Sequence, residues 1–445
     1  MILLPDGRVL LWQDDSEDGP RGSNTFTVCY AWDVAANSFT SVNNTTNDVF
    51  CAGHAFLANG QLLVAGGNNR SEENGIRTVY FFDWTSNTWN QSSSLMANGR
   101  WYPTETTLAN GEVLIISGDM TSATGVNPIP EVWQTNLGGG LRQLGNASLS
   151  LALYPWMYLA PNGKVFQAGP GQSTRYLDTS GAGAWTWLAD HIYAASREYG
   201  STVMYDPGKV VVMGGGVTPT KTAEIIDLNA PNPTWQNVVP MAYARTQMDA
   251  TLLPDGKVLV TGGSSSSGFN DATLAVLPAE MWDPVTKTFS TMASMHVPRM
   301  YHSTAVLLPD GRVVSAGGGR PAAIGTTDQP NAEIYSPPYL FQADGSPSVR
   351  PAITSVSATN VTYAQQFSVA TPDAASISDV TWIRLSATTH TFNQNQRINH
   401  LGFTRTAGAL TVTAPSGATL CPPGHYMLFI LKGGVPSLAQ IMQIQ

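Results

Sequence analysis

A short pattern of apolar and polar residues recurs along the chain. An apolar run leads into a turn of the Asp-Gly or Asn-Gly kind, and a second, β-branched run follows and ends in glycine. Two apolar runs on either side of such a turn predict a β-hairpin. The pattern occurs seven times, with turn glycines at Gly7, Gly60, Gly111, Gly163, Gly208, Gly256 and Gly311.

The hairpins return about every fifty residues, and most are followed by a second pair of strand signals. In that pair a strand ends in aspartate and an aromatic residue comes about six positions later, as at Asp33 and Phe39, Asp83 and Trp89, Asp227 and Trp235, and Asp283 and Phe289. Four strands in such a period, with a closing Gly-Gly, are typical of the kelch repeat. The sequence therefore predicts an all-β fold with a seven-bladed kelch-type β-propeller, because an array of β-sandwiches would not repeat one hairpin at this period.

The repeat stops near Pro351, and short alternating strands separated by turn residues follow to the end of the chain. We expect the propeller over residues 1–348 and a separate immunoglobulin-like β-sandwich over residues 349–445. Met1 falls inside the first hairpin, so blade one should be incomplete at its innermost strand. Blade seven lacks an outer aromatic strand after "AEIYSPPYL". Because propellers join their ends to avoid open edges, we expect the natural chain to begin upstream.

Composition excludes several classes of partner. The net charge is −9 and lysine and arginine form no cluster, which argues against nucleic acid and anionic membranes as partners. No apolar run reaches the roughly 20 residues of a membrane span, and the first residues lack the features of a signal peptide. Three cysteines, Cys29, Cys51 and Cys421, are too few for a disulfide framework. No obligate protein partner is evident.

The repeat allows equivalent positions to be compared within one chain. The residue nine positions before each turn glycine should mark the entry of an innermost strand, beside the propeller axis. In blades two to seven these residues are Cys51, Tyr102, Tyr154, Tyr199, Gln247 and His302. Apolar residues would suffice for strand ends that only pack, although the β-propensity of tyrosine leaves a structural explanation open.

A thiol, phenols and an imidazole arranged together around the propeller axis could bind a metal ion. Imidazole and phenolate ligands in a tetragonal arrangement favour Cu(II) over zinc or calcium. The chain has no H-E-x-x-H, C-x-x-C or EF-hand motif, and its glycine runs end strands rather than open helices, so they are not phosphate loops. One imidazole is not enough for a copper site, and the repeat does not choose among the other histidines. His54, three residues after Cys51, either lies beside the site or packs in the core.

Around these residues the chain resembles the copper radical oxidases, the family of galactose oxidase and glyoxal oxidase. The matching stretches are "VFCAGHAFLANG", "GRWYPTETTLANG", "RMYHSTAVLLPDGRV", "ATTHTFNQNQRI" and "PPGHYMLFIL". They extend over nearly the whole chain in the family's order. "RWYP" and "FCAG" are more similar to glyoxal oxidase and its bacterial relatives than to galactose oxidase.

The resemblance implies a role for each matching residue. Tyr102 would be an equatorial copper ligand joined by a thioether to Cys51, and this pair would hold a radical. Tyr301 would be the axial ligand and general base, while His302 and His390 would be the imidazole ligands. The implied cofactors are one copper ion per chain and the Cys51–Tyr102 thioether radical.

The implied reaction is oxidation by O2 with release of hydrogen peroxide. Met120 stands where galactose oxidases place a tryptophan over the thioether, and Pro155 stands where they have a sugar-binding arginine. We therefore expect a small primary alcohol, or an aldehyde reacting as its hydrate, rather than galactose. Met120, Tyr154, Tyr199 and Gln247 are candidates for the substrate pocket. The resemblance also implies a secreted or extracytoplasmic protein, and the alternative is a catalytically silent propeller that binds carbohydrate or protein.

Overall fold

The structure is a computed structural model that describes residues 1–13, 27–69, 74–121, 123–135, 138–319 and 329–445. Over these ranges the chain consists of β-strands, turns and four short 3-10 helices. The helices are Gly145–Ala147, Ala272–Leu274, Pro338–Leu340 and Ala374–Ser376. None of the described helices is long and apolar enough to cross a membrane. The prediction of an all-β fold is confirmed.

Antiparallel sheets follow one another along the first part of the chain, and each of the first three has four main strands. Their strands are β1 (Ile2–Leu3), β2 (Val9–Gln13), β3 (Val28–Asp33) and β4 (Ser38–Ser41), then β5 (Gly53–Phe56), β6 (Leu62–Ala65), β7 (Asn68–Asn69), β8 (Asn74–Gly75), β9 (Val79–Asp83) and β10 (Thr88–Gln91), then β11 (Thr104–Thr107), β12 (Val113–Ile116), β13 (Asp119–Thr121), β14 (Gly125–Val126), β15 (Glu131–Trp133) and β16 (Leu141–Gln143). The short pairs β7–β8 and β13–β14 are separate hairpins beside the second and third sheets.

Three further sheets of four strands and one of three follow in the described residues. Their strands are β17 (Trp156–Leu159), β18 (Val165–Gly169), β19 (Ser173–Asp178) and β20 (Ala184–Asp190), then β21 (Ser201–Asp206), β22 (Lys209–Met213), β23 (Ala223–Asp227) and β24 (Gln236–Asn237), then β25 (Thr246–Leu252), β26 (Val258–Ser264), β27 (Pro278–Asp283) and β28 (Thr288–Ser294), then β29 (Thr304–Leu307), β30 (Val313–Ala316) and β31 (Ala332–Tyr335). In every one of the seven sheets, strands adjacent in the chain are adjacent in the sheet.

Each repeated turn follows from its local sequence. In the β25–β26 hairpin, Leu252 pairs with Val258, and the N–H of Gly256 donates to the carbonyl of Leu253 at 2.9 Å. Gly256 has φ of +80°, a left-handed conformation that glycine adopts without strain. The second strand of the hairpin is buried throughout, as expected for a strand covered on both faces by neighbouring sheets.

The first strands of the sheets pack against one another. Strand β5 lies against β11, β11 against β17, β21 against β25, β25 against β29, and β29 against β1. The first and the seventh sheets are therefore neighbours, and the residues that precede these strands are brought to a shared region.

The last part of the chain forms two further sheets around one apolar core that includes Phe367, Trp382 and Leu428, and a separate two-stranded hairpin. The strands are β32 (Ser355–Val356), β33 (Asn360–Val361), β34 (Gln366–Ala370), β35 (Asp379–Arg384), β36 (Thr388–Thr389), β37 (Phe392–Asn393), β38 (Ile398–His400), β39 (Phe403–Thr406), β40 (Ala409–Thr413), β41 (Gly424–Lys432), β42 (Val435–Pro436) and β43 (Gln440–Ile444). One sheet has the order β32-β34-β40-β39 and the other β33-β43-β41-β35-β38, with β42 paired to β41.

A hairpin of this last part lies among the first strands of the other sheets. Strand β36 packs against β29, and β37 packs against β21 and β25. Ala387, just before β36, bridges to Ile2. The tip of the hairpin, which contains His390, is thereby brought to the residues that precede the first strands.

Candidate metal centre

The repeat-equivalent residues before the first strands share an uncommon backbone conformation. Their φ angles all lie between 45° and 69°; the residues are Cys51, Tyr102, Tyr154, Tyr199, Gln247 and His302. Left-handed backbone costs a residue with a side chain about 1–2 kcal/mol, so the surrounding packing must maintain it. His390, at the hairpin tip, has φ of 54° and shares this conformation.

Backbone hydrogen bonds link neighbouring members of this set. The N–H of Tyr102 donates to the carbonyl of Cys51 at 3.0 Å, and the N–H of Tyr154 donates to the carbonyl of Tyr102 at 2.9 Å. Gln247 donates in the same way to Tyr199 at 2.7 Å. Equivalent residues of successive sheets are therefore joined directly, which sets the spacing of their side chains.

The structure brings the two tyrosines and two histidines of the sequence analysis together. The hydroxyl oxygens of Tyr102 and Tyr301 lie 2.5 Å apart. The ring centre of His390 is 4.8 Å from that of Tyr102, 5.3 Å from that of Tyr301 and 5.0 Å from that of His302. Tyr102, Tyr301 and His390 are buried, and His302 is partly buried.

Hydrogen bonds select the tautomer of both imidazoles. Nδ1 of His302 lies 3.1 Å from the carbonyl oxygen of Gly319, which can only accept, so Nδ1 carries a proton and Nε2 is the ring nitrogen suited to binding a metal. Nδ1 of His390 lies 2.9 Å from Oγ1 of Thr389, whose hydroxyl donates to the hydroxyl of Tyr154. The Tyr154 hydroxyl in turn donates to the carbonyl of Ala52 at 3.2 Å. This directed chain leaves the lone pair of His390 on Nε2.

The electrostatics of the site favour a bound cation. Nε2 of His390 is buried and has no hydrogen-bond partner in the described residues, and burial lowers the pKa of this imidazole well below its usual value, which keeps the ring neutral. Burial, and then the neighbouring Cys51 and Tyr301, raise the pKa of Tyr102 well above its usual value. A phenolate at Tyr102 therefore needs a nearby positive charge. Two phenols and two imidazoles are a donor set that suits Cu(II), so the residues present could hold copper.

Cys51 belongs to the same cluster. It is buried, and its Sγ and the ring nitrogens of His302 and His390 all lie within 4.8 Å of one another. Cys51 could therefore bind a metal directly or bond to the ring of Tyr102. Cys29 and Cys421 lie elsewhere, and burial raises the pKa of each to about 12, so their thiols stay protonated and unreactive.

A cavity of about 300 Å³ opens onto Tyr102, Tyr301 and His390. Two of the four pocket candidates, Tyr154 and Tyr199, line it. Gln247 and Met120 are not among its lining residues, and their roles stay predictions.

Aromatic rings form most of the wall of this cavity. Trp101 packs against Tyr102 with ring centres 4.4 Å apart, and Phe269 packs against Tyr301 at 4.7 Å. Glu198, exposed at the edge, supplies the one carboxylate among the lining residues. Phe269 was not identified from the sequence, because the loop that carries it has no equivalent in the repeat.

His54 lies beside the site rather than in a distant part of the core. It is buried and lines a second cavity, of about 940 Å³, together with Cys51, His302 and His390. Its ring packs edge-on against Trp12 at 5.4 Å, and burial lowers its pKa to about 3, so the imidazole is neutral.

A set of buried arginines holds the residues before the first strands, and sequence reasoning missed it. Each donates to a carbonyl near the end of the second strand of its sheet, and three form ion pairs within 2.9 Å with a buried glutamate of the third strand. The arginines are Arg100, Arg197, Arg245 and Arg299, and the glutamates are Glu131, Glu224 and Glu280. The spacing of these arginines in the sequence could have revealed the set, because an arginine stands two or three residues before Tyr102, Tyr199, Gln247 and His302.

Known proteins share this architecture. Residues 2–176 and 216–339 match the family model described as "Glyoxal oxidase N-terminus", and residues 350–444 match "Galactose oxidase-like, Early set domain". The chain belongs to the copper radical oxidase family. The oxidase is 30% identical over 469 residues to galactose oxidase of Gibberella zeae, which covers 98% of this chain and 67% of that protein.

Two further relatives of this copper radical oxidase are informative. Aldehyde oxidase GLOX of Vitis pseudoreticulata is 30% identical over 479 residues, which covers 94% of this chain and 86% of that protein. A solved fungal alcohol oxidase, in complex with copper and described as having catalytic diversity within its family, superimposes with a TM-score of 0.88 at 29% identity. That similarity covers 100% of this chain and 96% of the solved chain.

Proposed function

We propose that the protein oxidises a small primary alcohol, or an aldehyde as its hydrate, with O2 and forms the aldehyde or acid and hydrogen peroxide. The observation that carries this proposal is the contact of the Tyr102 and Tyr301 hydroxyls at 2.5 Å, beside two imidazoles and the Cys51 thiol. Relatives named galactose oxidase, aldehyde oxidase and alcohol oxidase support the reaction type.

The proposal includes the architecture that the repeat predicts. We take the seven sheets as the blades of a propeller over residues 1–348, with their first strands around its axis. In the described residues, the innermost strand of blade one is short and blade seven has no outermost strand. Residues 349–445 would form the immunoglobulin-like domain. The contact of β1 with β29 supports a closed ring, and the hairpin of β36 and β37 would enter this ring from the last domain.

Tyr102, Tyr301, His302 and His390 would hold one copper ion, which when bound supplies a Lewis acid for the substrate hydroxyl and a one-electron acceptor. Oxidation of an alcohol removes two electrons, so the chain must hold a second oxidising equivalent. A thioether between Cys51 Sγ and the Tyr102 ring carbon beside the hydroxyl would hold it. Forming this bond replaces one S–H and one C–H bond, and O2 takes up the two hydrogens as hydrogen peroxide.

Tyr301 would act as the general base. Its hydroxyl lies against that of Tyr102 and faces the cavity of about 300 Å³, so a substrate hydroxyl bound there comes within reach of it. His302 and His390 direct Nε2 into the site because their Nδ1 protons are used elsewhere. The proposed partners of the protein are the small substrate and O2. Its proposed location is outside the cytoplasm.

The cavity supports a small and uncharged substrate. Its volume is at the lower end of the range of roughly 300–1,000 Å³ that is typical of ligand sites. Aromatic rings form most of the wall, which would leave most hydroxyls of a sugar without partners.

The test is a mass spectrum of the intact protein and of its tryptic peptides after Cu(II) is added in air. We expect the Cys51 and Tyr102 peptides as one cross-linked species, two hydrogens lighter than their sum, and peroxide once an alcohol is supplied. Cys51→Ser should abolish the cross-link, whereas the matched control Cys29→Ser, at another buried thiol, should retain it. Copper binding without the cross-link would favour direct ligation by Cys51, and no copper binding would favour the silent binding module.

A further inference from the structure

A single side-chain oxygen connects three segments of the site. Gln394 lies four residues after His390, just beyond strand β37, and is buried. Its Oε1 accepts hydrogen bonds from the backbone N–H of Glu105 at 3.0 Å and from that of His54 at 3.3 Å. Both donors are N–H groups, so the oxygen of this amide must face them.

The two donors stand at equivalent distances from the two residues of the proposed thioether. His54 comes three residues after Cys51, and Glu105 comes three residues after Tyr102. Each donor belongs to the first strand of its sheet, β5 or β11. One oxygen on the hairpin therefore fixes the strand of Cys51 and the strand of Tyr102 relative to each other.

Glu105 adds a second connection between the same strands. Its Oε1 accepts from the N–H of Ala65 on β6 at 2.8 Å. A Cβ atom added at Gly53 would lie 3.0 Å from Cγ of Glu105 and 2.9 Å from the carbonyl oxygen of Pro103. The strands are in close contact here, so a change in the anchoring of one shifts the other.

Gln394 is not arranged for stability alone. Its Nε2 is buried and has no hydrogen-bond partner in the described part of the chain, and an unpaired buried amide nitrogen is unfavourable for folding. Gln396, two residues later, is different, because its Oε1 accepts from Leu252 at 3.0 Å and its Nε2 donates to Ala250 at 2.8 Å. Gln396 thereby anchors the same hairpin to β25, a strand that provides none of the proposed copper ligands.

We propose that Gln394 is a positioning residue that sets the spacing of Cys51, Tyr102 and His390 for thioether formation and copper binding. This inference rests on the proposed function. Bond formation between a sulfur and a ring carbon requires them in contact, and a misplacement of about 1 Å can reduce a rate about 100-fold. The oxygen of Gln394 is the group that all three segments share.

Three variants test this inference: Gln394→Met, Gln394→Glu and Gln396→Met. The measurements are the rate of cross-linking after Cu(II) is added in air, the Kd for Cu(II), and the Tm of the copper-free protein. Methionine keeps the length of the side chain and removes the acceptor, whereas glutamate keeps an acceptor oxygen. The Gln396→Met variant is the matched control, a buried glutamine of the same hairpin with bonds away from the ligands.

We expect the two methionine variants to differ in cross-linking and copper binding rather than in stability. Gln394→Met should cross-link about 10- to 100-fold more slowly and bind Cu(II) about tenfold more weakly. Its Tm should fall no further than that of Gln396→Met, because each variant loses two hydrogen bonds and Gln394→Met also removes an unpaired nitrogen. Gln394→Glu, which keeps an acceptor oxygen, should cross-link at nearly the wild-type rate. Gln396→Met should lower the Tm and, below that temperature, cross-link at the wild-type rate.

Two results would overturn the inference. In one, Gln394→Met cross-links as fast as the wild type; in the other, both methionine variants slow cross-linking equally, which would show a general effect on the hairpin. A wild-type protein that binds copper and never cross-links would overturn the proposed function instead. The copper affinity of Gln394→Met, relative to Gln396→Met, then decides the inference by itself.

Discussion

The hydroxyl oxygens of Tyr102 and Tyr301 lie 2.5 Å apart although 199 positions separate the two residues in the chain. Two buried phenols at this distance cannot both lose their protons without a cation between them. Replacing Tyr301 by Phe keeps the ring and removes the proposed base. We expect Tyr301→Phe to form the cross-link, as seen by mass, and to oxidise alcohols about 10²- to 10⁴-fold more slowly in a peroxide assay. Unchanged turnover would exclude Tyr301 as the base.

His390 offers a second test, because its Nε2 is buried without a partner in the described residues. His390→Ala should weaken Cu(II) binding at least about 100-fold, measured by titration of the copper-free protein. The matched control is His400→Ala, ten residues later, where the imidazole is exposed and pairs with Asp379 at 2.7 Å. Equal affinities of the two variants would contradict the proposed ligand set.

A substitution of Tyr154 tests whether its chain of hydrogen bonds orients His390. Its hydroxyl accepts from Thr389 and donates to Ala52, so Tyr154→Phe interrupts the chain without opening a cavity. We expect Cu(II) affinity to fall about 10- to 100-fold, as for other groups that orient a metal-binding histidine. Tyr363→Phe is the control, because it removes a tyrosine hydroxyl that donates a hydrogen bond to the carbonyl of Cys421. This variant should bind copper like the wild type. If both variants bind copper normally, the chain does not orient His390.

Phe269 forms the cavity wall against Tyr301 and is 45% exposed. Phe269→Ala should lower kcat/KM for an apolar primary alcohol such as benzyl alcohol about tenfold, because apolar contact with the substrate is lost. Phe341→Ala, at a phenylalanine that is also 45% exposed and lies outside the cavity, should leave it unchanged. An equal loss in both variants would indicate a general effect on the protein.

The buried carboxyl of Glu105 should make the free energy of unfolding depend on pH. Burial raises the pKa of this carboxyl well above its usual value of 4.5, so the folded protein keeps the proton at pH values where the unfolded chain has lost it. Its contribution to stability is therefore present in acid and is lost as the pH rises above about 4.5. Glu105→Gln should unfold at the same temperature as the wild type near about pH 4 and at a higher temperature near about pH 8. Thermal unfolding followed by circular dichroism checks this, and a difference that does not vary with pH contradicts it.

The strands and turns were predictable because their causes are local. The turn at Gly256 depends on chemistry within a few residues, and the turn after β9 depends on Asp83, which accepts from the N–H of Thr85 at 2.9 Å. The positions of Cys51 and Tyr102 before their strands followed from a constant distance to the turn glycine. Their common left-handed backbone was not predictable, because distant packing has to stabilise a conformation that each residue alone disfavours.

The all-β class and the repeat were therefore predictable from the sequence alone, and the family resemblance indicated the residues of the site. The folded chain was needed to show that the hydroxyls of Tyr301 and Tyr102 are in direct contact, that Trp101 lines the cavity and Met120 does not, and that Gln394 joins the segments of the site. The physical reason is that these contacts join side chains of different sheets and of a hairpin from the last part of the chain. Their distances depend on how whole sheets pack, and no local preference of the backbone specifies that packing.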